Sequence, residues 1–136
     1  MILDKELLLS DNQDAKANGS KVSESTIDLS VANRDIGAGE QLYAVVVVDA
    51  YTAGSNTSLT ISVITSASAD LSSPTTIIST PAIAASDISA GRAPIVLPIP
   101  PNVITQRYLG LNYACATAAT ALTVTAFVAH GVQTNL

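Results

Sequence analysis

Short β-branched runs, none longer than nine residues, recur along this chain and are separated by turn-forming clusters. No stretch sustains a helical period for a helix of ordinary length, and only 67–70 and 86–90 have any helical character. A chain of this kind can bury its apolar side chains only by stacking sheets. The runs are 3–9, 21–29, 41–49, 58–66, 75–80, 93–99, 107–115 and 121–129. Asn18-Gly19 closes the polar loop 10–20 with a strong turn dipeptide. The loop 30–40 holds Gly37, Gly39 and an exposed-looking pair, Arg34-Asp35. Within 41–49 the sequence Tyr43-Ala44-Val45-Val46-Val47-Val48 is apolar on both faces, which predicts a central strand. The run 58–66 alternates, with Leu59, Ile61 and Val63 on one face and Thr60, Ser62 and Ile64 on the other. Pro94 and Pro98 predict an edge position for 93–99, because proline cannot donate to a ladder.

Eight such strands predict an all-β, antiparallel two-sheet sandwich, an eight-stranded jelly roll, folded as one domain over 1–136. The segment 1–10 reads as an arm or as the first strand. A chain of 136 residues buries roughly two-thirds of its unfolded surface and can build a core without disulfides or metals. Aromatic residues are only 4%, so that core is made of small and β-branched side chains.

Charge narrows the partners. The six basic residues are scattered among eleven acidic ones, whereas nucleic-acid binding draws on clustered Lys and Arg. The charged start, Met1-Ile2-Leu3-Asp4-Lys5-Glu6, is unlike a secretory signal. The uncharged stretch 114–129 carries Thr117, Thr120, Thr123 and Thr125 and falls short of the ~20 apolar residues of a spanning helix. A buried strand is expected there and no membrane partner. Charge is absent from Tyr108 onward, which predicts strands covered by neighbours.

Residues for catalysis are scarce. His130 is the lone histidine and lies at a strand end, so neither a nucleophile–base relay nor a multi-histidine metal site is expected. Asp11, Asn12 and Asp14 break the alternation of a calcium loop. Gly37-Ala38-Gly39 lacks the lysine of a phosphate loop. Cys115, the one cysteine, has no basic neighbour and reads as an inert core thiol. No enzyme, cofactor, metal or small-molecule substrate is expected.

Several stretches, taken in order, carry a resemblance. They are the opening Met1 to Gln13, Arg34-Asp-Ile-Gly37 with Leu42-Tyr43, and Ser72-Ser-Pro-Thr-Thr76. Pro81-Ala-Ile83, Ala90-Gly91-Arg92, Leu97-Pro98, Arg107-Tyr-Leu109 and Leu111-Asn-Tyr113 follow. In order and spacing they resemble the capsid cement (decoration) proteins of short-tailed bacteriophages. The segments 50–57 and 116–121 depart from that likeness. The resemblance implies a jelly-roll homotrimer on the outer surface of the virion, assembled in the host cytoplasm. It would bridge neighbouring major capsid proteins and resist the pressure of packaged DNA. The family offers no catalytic residues to carry over. Physics alone nominates Arg34, Asp35, Arg92 and Arg107 as capsid or subunit contacts, because arginine is enriched at interface anchors. The second apolar face of 43–48 calls for a cover, which closed cyclic assembly would supply. The alternative is a carbohydrate- or cell-surface-binding sandwich of a phage tail, which would need exposed aromatic faces. Tyr43, Tyr51, Tyr108 and Tyr113 are the tyrosines available for that role.

Overall fold

The computed structural model describes residues 4–34, 36 and 39–132. Two antiparallel sheets pack face to face, as the strand spacing predicts. Among the described residues there are ten strands: β1 (Leu8–Asp14), β2 (Gly19–Val22), β3 (Ile27–Asp28), β4 (Leu42–Thr52), β5 (Ser58–Ser66), β6 (Thr75–Ser79), β7 (Ile83–Ala84), β8 (Ile95–Ile99), β9 (Tyr108–Cys115) and β10 (Ala121–Ala129). The only helical pieces among them are single 3-10 turns at Lys5–Leu7 and Ala85–Asp87.

The count of ten corrects the expected eight, and the extra two have a simple origin. β2 and β3 both lie along β9, and β6 and β7 both lie along β5. Each pair is one edge interrupted by a break. Ser23 to Thr26 leaves the ladder between β2 and β3, while Pro81 follows the break after β6. One sheet has the order β1-β10-β4-β8, and the other has β2-β9-β5-β6 with β3 and β7 extending its edges. The pairs β1–β10, β2–β9, β4–β8 and β5–β6 nest inside one another along the chain. A long antiparallel ribbon wrapped once around a core gives this nesting. Wrapping then places β10 beside β4 and β9 beside β5, as observed, which is the jelly-roll arrangement.

The inner faces follow the period of two. Ala44, Val46 and Val48 of β4 meet Leu122, Val124, Ala126 and Val128 of β10 and Ile95, Leu97 and Ile99 of β8 in one buried cluster. Leu59, Ile61 and Val63 of β5 face them from the second sheet with Leu109, Leu111 and Tyr113 of β9. β9 and β10 are interior strands, each flanked on both sides. That accounts for the lack of charge in β9 and β10: their cover comes from this chain's own strands.

The first strand is displaced from the expected one. The sequence predicts 3–9 followed by a polar loop, whereas β1 begins at Leu8 and runs through the polar residues to Asp14. Two register shifts against β10 and the positive φ of Asn12 (49°) turn Ser10 and Gln13 inward. Both are buried, and a closed network satisfies them. Ser10 Oγ gives its hydrogen to Gln13 Oε1 at 2.6 Å, so the Tyr113 hydroxyl donates to Ser10 Oγ at 2.8 Å. Gln13 Nε2 donates to the Val22 carbonyl at 2.8 Å, and the Glu24 N–H donates to Gln13 Oε1 at 3.0 Å. Burial pushes the Tyr113 phenol far up, so it remains a donor.

The loop 67–74 folds over the outside of the second sheet and plants buried Leu71 on Gly110. A Cβ at Gly110 would run into Leu71 Cδ1 and come within 3.0 Å of Ser23 Oγ, so glycine lets Leu71 lie this close without repacking.

Gln13 serves two donors and one acceptor, and Tyr113 serves one acceptor. Gln13→Leu is therefore expected to cost about 1–3 kcal/mol through groups left unpaired, and Tyr113→Phe about 1 kcal/mol. Urea unfolding of the two variants checks the order; equal costs would show that the network is not organised around Gln13.

Candidate interaction surface

A wrapped ribbon has two loop ends. At one end the connection β1–β2 meets those between β4 and β5 and between β9 and β10. The Ala119 N–H donates to the Lys16 carbonyl at 2.9 Å, and Ser55 Oγ donates to the Ala118 carbonyl at 3.3 Å. A shallow cleft of about 310 Å³ opens there, lined by Asp14, Lys16, Ala17, Lys21, Ala118 and Ala119. Lys16 Nζ lies 3.0 Å from Asp14 Oδ2, and that lysine's backbone and side chain both hold the Asp14 carboxyl below its usual range.

At the other end, the connection leaving β3 runs antiparallel to the one entering β9. The Leu29 N–H donates to the Arg107 carbonyl at 2.9 Å, and the Asn33 N–H donates to the Thr105 carbonyl at 3.3 Å. Leu29 and Ile104 anchor these loops in the core, at 7% and 6% exposure. Val31 and Val103 project outward, at 53% and 39%. Arg107 clamps the base: Nε donates to Asp28 Oδ1 and Nη2 to Asp28 Oδ2, both at 2.7 Å. Its guanidinium also lies over the Tyr108 ring, 5.1 Å from the centroid.

The four expected contact residues thus separate. Arg107 is committed to Asp28. Arg92 donates through Nη1 to the Asp87 carbonyl at 2.7 Å and holds the 3-10 turn before β8, on a connection that belongs to the opposite end. Arg34 is exposed at the same end as Arg107 and makes no ion pair with a described residue. Asp35 lies outside the described residues. Sequence reasoning missed Val31 and Val103, because single valines in turn-rich segments look no different from the anchors Leu29 and Ile104.

The apolar outer face expected of β4 exists. Leu8, Phe127, Val45 and Val96 form one row across the four strands of the first sheet. Its two middle members are already buried, Val45 at 0% and Phe127 at 4%. The centre of this face therefore calls for no partner, which corrects the expectation that a second subunit must hide it.

The residues weighed for chemistry are dispersed. His130 Nε2 lies 2.7 Å from Glu40 Oε2 in an exposed pair. Cys115 is buried, Sγ 3.5 Å from the Ala15 carbonyl, and burial pushes its thiol up. Among the described residues no group of three or more His, Cys, Asp or Glu is placed to hold a metal ion. No helix among them is long and apolar enough to cross a membrane. Of the four tyrosines, Tyr113 is buried and Tyr43, Tyr51 and Tyr108 are half-buried.

The clamp gives a pH prediction. The hydrogen bonds from the Arg107 side chain, then the backbone N–H of Ser30, hold the Asp28 carboxyl at about 2, below its ordinary 3.8. A depressed carboxylate contributes stability above its unfolded pKa and loses it as pH falls through the folded one. Wild type is expected to melt higher than Asp28→Asn near neutral pH. That gap should close between about pH 4 and pH 2, as followed by thermal melts. A gap that persists below that window would mean the clamp does not titrate with Asp28.

Comparison with protein-family models matches residues 9–128 to the family described as Bbp16. No curated protein matches the chain.

Proposed function

We propose, from the premise that the chain belongs to the Bbp16 family, that it is a structural decoration protein of a phage head. It sits on the outer capsid surface and stabilises contacts between major capsid proteins, without catalysis or cofactor. The observation that carries this reading is the coincidence of a family match over 9–128 with one complete jelly roll over the same residues. The family's name suggests a phage-related protein. The stretches that resemble cement proteins also fall at working positions in the fold. Arg107-Tyr-Leu109 supplies the clamp and opens β9, Leu97-Pro98 forms the closed edge strand, and Ala90-Gly91-Arg92 braces the turn before it. Each of these is a framework position, as expected of a protein that works by being rigid.

The assembly is a homotrimer bound through loops, its number taken from the resemblance to cement proteins. Many copies on a symmetric shell then add avidity without any single strong site. Mixing the purified protein with undecorated heads and sedimenting them tests the binding, and light scattering of the free protein tests the assembly. The protein is expected to pellet with heads and to scatter as a trimer. A monomer that stays in the supernatant with bare heads would sink both parts.

A further inference from the structure

β-Proteins commonly join through strand edges, where the outward N–H and C=O groups lack partners. Here all four edges are blunted, each by a different means. In β8, Pro98 sits opposite Tyr43 and has no N–H to give β4. It therefore occupies the phase in which N–H groups point away from the sheet, and Pro94 precedes it in the same phase. Only Val96 between them keeps an outward N–H in the run 94–98. β1 shifts register twice against β10. β2 has four residues, and Lys21 stands opposite buried Tyr113, so an added strand would have to cover its charge. β6 shifts register between Val63–Ile78 and Ile64–Thr76, which leaves Ile77 as a bulge at the edge. Among the described residues, an incoming strand would find no regular row of donors and acceptors along β1, β6 or β8, and only a short, charged one along β2.

What remains for a partner is an end or a face. Among the described residues only Val31, Val96 and Val103 are large, apolar and exposed. Val96 borders a row whose centre is already closed. Val31 and Val103 share one end, on loops tied to each other and clamped by Arg107 and Asp28. Held out on anchored loops, they would lose little freedom on binding. Arg34, exposed on the same loop as Val31, adds a positive charge to this end, in a chain of net charge −5. The geometry points to this end, residues 29–34 with 102–107, as the surface that meets the partner protein, and to docking without strand addition. The occupant is a protein surface with an apolar centre and a carboxylate within reach of Arg34. Under the decoration reading, on which this inference rests, that surface belongs to the head lattice.

The test uses the full chain and undecorated heads. Val31→Asp/Val103→Asp changes two exposed side chains, so circular dichroism and melting should stay near wild type. Its apparent affinity for heads is expected to fall at least about tenfold, and Val96→Asp should bind as wild type does. Arg34→Ala should weaken binding less, and flatten its dependence on salt. Hydrogen exchange of head-bound protein should show new protection in 29–34 and 102–107. Wild-type binding with an unaffected double variant would overturn the inference and leave the decoration reading standing. Loss of binding in Val96→Asp alone, or new protection of the Val96 amide, would move the contact to the β8 side and overturn it too. Wild-type protein that leaves heads bare would instead sink the decoration reading, and this surface with it.

Discussion

The two layers are fastened to each other by the buried hydrogen bonds among Tyr113, Ser10 and Gln13. Tyr113 belongs to β9 of one sheet, while Ser10 and Gln13 belong to β1 of the other. Apolar packing between sheets is non-directional and tolerates sliding, whereas this network fixes the register of β1 against β2 and β9. It also sets where the ribbon turns. The Ser25 N–H donates to the Leu9 carbonyl at 2.9 Å, so the chain leaving β2 is drawn across to the first sheet. The interruption between β2 and β3 sits beside that crossing. Such a network is favourable only when complete, because each buried polar atom left unpaired carries its full desolvation cost. Here Gln13 makes three hydrogen bonds and Ser10 two.

Much of the architecture was legible because it follows local rules. The apolar run of β4 marks an interior strand, the alternation of β10 marks a covered one, and the prolines of β8 mark an edge. All three hold in the structure. β1 was illegible for a definite reason. Ser10, Asp11, Asn12, Gln13 and Asp14 have the composition of a turn, and the groups that let two of them be buried come from elsewhere. Tyr113 lies 103 residues away and Val22 nine. The split edges were hidden likewise, since β3 and β7 are too short to show a period and exist only because β9 and β5 offer open sides.

The contact residues were harder to read than the fold. Arginine is a fair guess for an interface, yet charge alone does not say whether a side chain has already found its partner. Arg107 found Asp28, 79 residues away, and Arg92 found a backbone carbonyl five residues back. Arg34, of the same chemistry, faces outward. The valines divide in the same manner. Leu29 and Val31 are two residues apart on one loop, and Val103 and Ile104 are neighbours on the other. In each pair one side chain goes inside and the other stays out. Hydropathy cannot sort them; the hydrogen bonds between the loops do.

These features bear on how such a chain can associate at all. Its side chains are small and many of its outward polar groups are serine and threonine, so broad areas of its surface offer little to grip. Its edges refuse strands, and its net negative charge opposes indiscriminate contact between copies. Under the decoration role proposed above, many copies would share one shell and would need this reticence, because any contact that ignores lattice geometry would be multiplied along with the right one. Confining adhesion to a few large side chains on a braced loop end makes binding depend on a matching surface. Avidity then comes from the symmetry of the shell, while each separate contact can stay weak. On this view the rigidity that Arg107 and Asp28 impose at the base of those loops is part of recognition, because it presents Val31 and Val103 in one arrangement.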